Sequence, residues 1–98
     1  MVKHVILWKL KEDIEDPSKV KAEAKKELEA LVGKVPGLID LKLIIEGFET
    51  SNCDMMLDST LESFEALKGY AVHPSHVAAA DNFVRPFTAT RLCMDYEI

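Results

Sequence analysis

Val2 to Leu10 (VKHVILWKL) is the segment that most narrows what this chain can become. Its β-branched and aromatic residues suit a pleated, half-buried surface, so it reads as the first strand. Alternation sets His4, Ile6, Trp8 and Leu10 on one face and Lys3, Val5, Leu7 and Lys9 on the other. The centre of the strand is therefore apolar on both sides. Such a strand belongs in the interior of a sheet, and both of its faces need cover.

The remaining elements follow from local punctuation. Asp16-Pro17-Ser18 marks a helix start, with Asp16 as N-cap and Pro17 at the first helical position. Val20, Ala24, Leu28, Leu31 and Val35 then recur at helical spacing until Gly33 and Pro36-Gly37 end the helix. The Lys/Glu-rich run from Lys19 to Glu29 is its solvated face. Leu38 to Glu46 resumes alternation, with Ile39, Leu41, Leu43 and Ile45 on one side, and reads as the second strand. After the loop Gly47 to Asn52, Cys53, Met55 and Leu57 alternate with Asp54, Met56 and Asp58 in a third strand. Ser63 caps a short helix with Phe64, Leu67 and Ala71 facing inward, and Pro74 after His73 breaks it. A second helical piece starts at Pro74, turns Val77, Ala80 and Phe83 or Val84 inward, and stops near Pro86. Thr88 to Tyr96 is the last strand.

Strand, helix, strand, strand, broken helix, strand is the order of an α+β, ferredoxin-like βαββαβ domain. Right-handed crossovers favour a four-stranded antiparallel sheet ordered 4-1-3-2 with the helices on one face. The other face would then point apolar residues of a central strand at water. Two sheets packed face to face resolve this, so a homodimer through the sheet face is expected.

A length of 98 residues allows one core, and residues 1–98 are expected to form a single domain. The net charge of −5, with no Lys/Arg cluster, argues against a nucleic-acid partner. No apolar stretch is long enough to span a bilayer. The opening segment is broken by Lys9 and Lys11 and lacks a cleavage site, so a cytoplasmic protein is expected. Cys53 and Cys93 stand alone, with no CxxC pair, and are expected to be buried in strands.

Two segments, Val2-Lys3-His4-Val5-Ile6-Leu7-Trp8-Lys9-Leu10 and Tyr70-Ala71-Val72-His73-Pro74-Ser75-His76-Val77, resemble the stress-responsive A/B barrel domain family. In that family an opening strand with Lys-His is paired with a Tyr-x-x-His-Pro-x-His signature. The resemblance runs in order over nearly the whole chain and implies a ferredoxin-like protomer whose dimer forms a barrel between two sheets. It implies less about chemistry, because members include plant stress-responsive proteins, a small polyketide cyclase and many bacterial proteins of no assigned activity. In the cyclase, the residues matching Tyr70 and His76 carry an aldol-type ring closure. Where that enzyme has a helix tyrosine and a strand histidine, this chain has Leu28 and Met55, which makes the implied cavity more apolar.

Near a helix N-terminus the macrodipole disfavours an imidazolium, so His76 is expected to be neutral and a competent general base. Tyr70 could donate a hydrogen bond to a carbonyl or a developing enolate. His4 and His73 are the expected ligand-binding companions. The competing structural readings are that His73 and His76 tie down the break between the helices and that His4 is a satisfied core histidine. A metal held by His73 and His76 with Asp81 or His4 fits no ligand spacing, and neither metal nor cofactor is expected. The function expected is the binding of a small, partly apolar organic molecule between sheet and helices. The first alternative is a polyketide-cyclase-like enzyme using His76 and Tyr70. The second is a cofactor-free monooxygenase of similar fold.

Overall fold

The computed structural model describes residues 1–98. Its strands are β1 (Val2–Leu10), β2 (Leu38–Ile44), β3 (Met55–Leu61) and β4 (Thr88–Glu97); its helices are α1 (Pro17–Glu29), α2 (Phe64–Val72) and α3 (Pro74–Phe83). The sheet is antiparallel and ordered β2-β3-β1-β4, which is the expected order read from the other edge. Of the two central strands, β1 lies between partners far from it in sequence, while β3 pairs with the preceding strand β2 on one side and with β1 on the other.

The two faces of β1 divide as alternation requires. Val2, His4, Ile6, Trp8 and Leu10 are buried beneath the helices, while Lys3, Val5 and Leu7 stand half-exposed on the open face. Antiparallel pairing sets Cys93 opposite Ile6 and Arg91 opposite Trp8, so Arg91, Cys93 and Asp95 share the helix side of the sheet. Leu92, Met94 and Tyr96 then fall on the open side, where Leu92 and Met94 are 63% and 66% exposed. The expected uncovered apolar face is present, and its residues are Val5, Leu7, Leu92 and Met94 rather than Ile6 and Trp8.

Several inward positions differ from those read off the sequence. Helix α1 ends at Glu29, and Leu31 and Val35 reach the core from a turn that Gly33, at φ +91°, carries through the left-handed region. In β2 a register shift between Leu38 and Asp40 buries Leu38 and turns Ile39 out to solvent. In α2 the inward residues are Leu67 and Tyr70, whereas Phe64 and Ala71 are exposed. Cys53 precedes β3 and is half-buried, and Cys93 is exposed because no helix covers the outer side of β4.

Side chains close the backbone ends. Asp16 accepts from the Lys19 amide at 3.1 Å and Ser63 from the Ala66 amide at 3.1 Å, capping α1 and α2. On the β2 edge the Leu43 amide donates to Glu29 at 3.0 Å and the Leu43 carbonyl accepts from Lys25 at 2.8 Å. This pair satisfies backbone groups that an edge strand would otherwise present to other chains.

Candidate functional site

A cavity of about 180 Å³ lies between β1 and the helical layer. β1 contributes His4, Ile6 and Trp8; α2 contributes Leu67, Tyr70 and Ala71; α3 contributes His76 and Ala80. Val84, Arg85, Thr88 and Arg91 close the side where the chain passes from α3 into β4. The break at His73-Pro74 makes this arrangement, because α2 ends at Val72 and α3 restarts at once with its first turn beside Tyr70.

Tyr70 sits at the centre. Its ring lies 4.2 Å from the His76 ring and 5.8 Å, edge-on, from that of His4. The side chain is 1% exposed, and burial pushes the phenol well above its ordinary pKa, with Arg91 opposing. It is therefore a neutral donor. No sealed-off side-chain polar atom lacks a hydrogen bond, and the Tyr70 hydroxyl has no protein partner, so the hydroxyl opens into the cavity.

The His76 Nδ1 lies 3.2 Å from the Ala71 carbonyl oxygen. A carbonyl only accepts, so Nδ1 carries the proton and Nε2 is left as the basic nitrogen. Burial holds the imidazole pKa below its ordinary value, the Ala71 bond opposes that, and the charges of Arg85, His4 and Arg91 add to it. The neutrality read from the helix start is thus chiefly a matter of desolvation.

His4 reaches the same cavity from below. Its Nδ1 is 2.5 Å from an Asp95 carboxylate oxygen, which orients the ring and leaves Nε2 as the other nitrogen. Ser59 donates to the His4 carbonyl at 2.8 Å. Cys93, though its residue is exposed, points its thiol toward His4, 3.7 Å from His4 Nδ1 and 3.5 Å from Asp95, and partial desolvation there raises its pKa, with Asp95 adding to the effect. These three donor groups lie within 4.8 Å of one another, although the His4 and Asp95 atoms already bond to each other.

His73 is the residue that the structure separates from the others. Its Nδ1 accepts from the Ser75 amide at 3.1 Å, making it the N-cap of α3, and it does not line the cavity. Asp81 is ion-paired with Arg85, so the grouping of His73, His76 and Asp81 does not form. Leu28 and Met55 are core residues away from the cavity wall. Sequence reading missed Trp8 as a wall and Arg85, Arg91 and Asp95 as polar neighbours. Once β4 is set antiparallel beside β1, alternation from Asp95 back to Arg91 was the signal that finds the last two.

Residues 2–98 match the family described as the stress responsive A/B barrel domain. Olivetolic acid cyclase of Cannabis sativa is 31% identical over 98 residues, spanning 97% of this chain and 94% of the cyclase. A dimeric Bacteroides fragilis protein of unknown function and ferredoxin-like fold superposes with a TM-score of 0.91 at 30% identity, over 99% of this chain and 95% of its own. An Arabidopsis thaliana protein superposes with a TM-score of 0.82 at 29% identity, over 100% of this chain and 95% of its own. No helix of the chain is long and apolar enough to cross a membrane.

Proposed function

Because the chain belongs to the stress responsive A/B barrel domain family, we propose that it acts as a homodimer binding a small, partly apolar organic molecule in the cavity between β1 and the helices α2 and α3. The observation that carries this reading is the Tyr70 hydroxyl, a neutral donor with no protein partner that opens into a cavity walled by Ile6, Trp8, Leu67 and Val84. A polar group left unpaired beside apolar walls is what fixes the orientation of a bound small molecule. A ligand present at about a hundred times its Kd adds roughly 2.7 kcal/mol, and for a domain of this size that raises the Tm by upwards of about 10 °C. A thermal-shift panel of small carbonyl compounds should show such a rise in the wild type and a much smaller one in Tyr70→Phe. Equal shifts in both proteins would remove Tyr70 from the site.

A second reading is favoured by the tautomer of His76, whose Nε2 is free to take a proton while Nδ1 is held by Ala71. With Tyr70 donating to a carbonyl oxygen, His76 removes a proton from the adjacent carbon and the enolate charge falls on the tyrosine hydrogen bond. Similarity to a cyclase supports this chemistry, and the small cavity limits the substrate. Deuterium exchange into acetylacetone, followed by NMR, measures the step directly. Catalysed exchange should fall roughly a hundredfold in His76→Ala with the dimer intact; no exchange above buffer in the wild type leaves binding as the function.

A further inference from the structure

The cavity wall has a charge pattern unlike that of the chain around it. The chain holds 17 acidic and 12 basic residues, yet Arg85, Arg91, His4 and His76 line the cavity and no Asp or Glu does. Arg85 is answered by Asp81 from outside the wall. Arg91 has no carboxylate within salt-bridge distance.

We infer that the cavity selects an anion, a small planar monocarboxylate, whose charge is held by the Arg91 guanidinium. The inference rests on the binding reading above and adds the class of ligand. Arg91 stands opposite Trp8 across the β1–β4 pair, so its charged end borders the apolar part of the cavity. A guanidinium presents a rigid fork that matches the two oxygens of a carboxylate, and the match gains strength beside low-dielectric walls. Arg91 is also close enough to the groups inside for its charge to add to the lowering of the His76 pKa and to oppose the rise at Tyr70.

Size narrows the ligand further. Engineered apolar cavities of about 150 Å³ take up benzene, so about 180 Å³ accommodates one ring with a small substituent. A single carboxylate can meet Arg91 while the ring contacts Ile6, Trp8 and Leu67. A second charge would face those apolar walls without a partner.

Trp8 is the only tryptophan and forms part of the wall, so its emission reports occupancy. Benzoate and benzamide have nearly the same shape and differ in charge. Titrations of both, read by Trp8 emission and by calorimetry on wild type and Arg91→Gln, should give benzoate at least about a tenfold lower Kd in the wild type. Arg91→Gln should lose that preference while keeping its benzamide affinity, and Arg91→Lys should regain part of it. Arg91 is exposed and makes no ion pair, its side chain meeting only the Cys93 thiol, so the substitutions leave the fold intact. Equal wild-type affinities, or an undiminished preference in Arg91→Gln, would overturn the anion assignment and leave apolar binding standing. Neither compound binding would overturn the cavity reading together with it.

Discussion

His76 links stability to pH through its own burial. The unfolded chain takes up a proton near the ordinary imidazole pKa of 6.5, while the folded imidazole resists until a lower pH. Between those two values the unfolded state holds more protons, so folding stability decreases as the pH falls through that window. The Tm of the wild type should therefore drop between pH 7 and pH 5 more steeply than that of His76→Gln. Parallel curves for the two proteins would show that the folded site accepts the imidazolium without penalty. The roles of the neighbouring histidines were only partly legible in the sequence. His-Pro-Ser-His marks a helix break, but which histidine caps and which faces the cavity depends on the turn geometry. That geometry gives His73 to the Ser75 amide and His76 to the Ala71 carbonyl.

At the scale of elements, β1, the capped starts of α1 and α2, and the break before Pro74 were legible because each rests on a local pattern. Ile39 was not, because a register shift inside β2 leaves no mark on the alternation of LIDLKLIIE. Phe64 was misplaced because the first residue after the Ser63 cap overhangs the core rather than entering it. Two glycines give a test of what backbone shape and packing each contribute. Gly33 and Gly37 both have positive φ, at +91° and +81°. A Cβ on Gly33 meets nothing within 4 Å, whereas one on Gly37 falls 2.6 Å from the Ala66 Cβ on α2. Gly33→Ala should cost about 1 kcal/mol, the strain of a left-handed residue. Gly37→Ala should cost roughly 2–5 kcal/mol, because overpacking adds to the same strain. Urea unfolding giving equal losses would show that the β2–α2 junction yields easily.

On the scale of the whole molecule, the open sheet face is the surface on which the proposed homodimer is to be tested. Val5, Leu7, Leu92 and Met94 form an apolar surface that the protomer leaves uncovered, and the structurally similar Bacteroides fragilis protein is dimeric. Sedimentation should give one species near twice the 11.0 kDa chain mass. Leu92→Glu should yield a monomer, since it sets an unpaired charge in the sheet-to-sheet contact. A wild type sedimenting near 11.0 kDa, or an unaltered Leu92→Glu, would show that this face is not the interface. The two-sidedness of β1 was legible in the sequence. Which side stays uncovered follows only from where α2 and α3 pack, and the place of Arg91 at the cavity became visible only with β4 in register.

The strand order also bears on how the chain acquires its structure. β1 is made before both of its neighbours, pairing Val2 with Leu61 on one side and with Glu97 on the other. At roughly 5–20 residues per second, β1, with its unbroken apolar run Val5 to Trp8, waits several seconds of synthesis for β3 and longer for β4. Pairings so distant in sequence close slowly, because the entropy of a long loop is lost before the contacts are gained. During that interval the segment Val5 to Trp8 is the part of the nascent chain most open to capture by a chaperone or by another copy of itself.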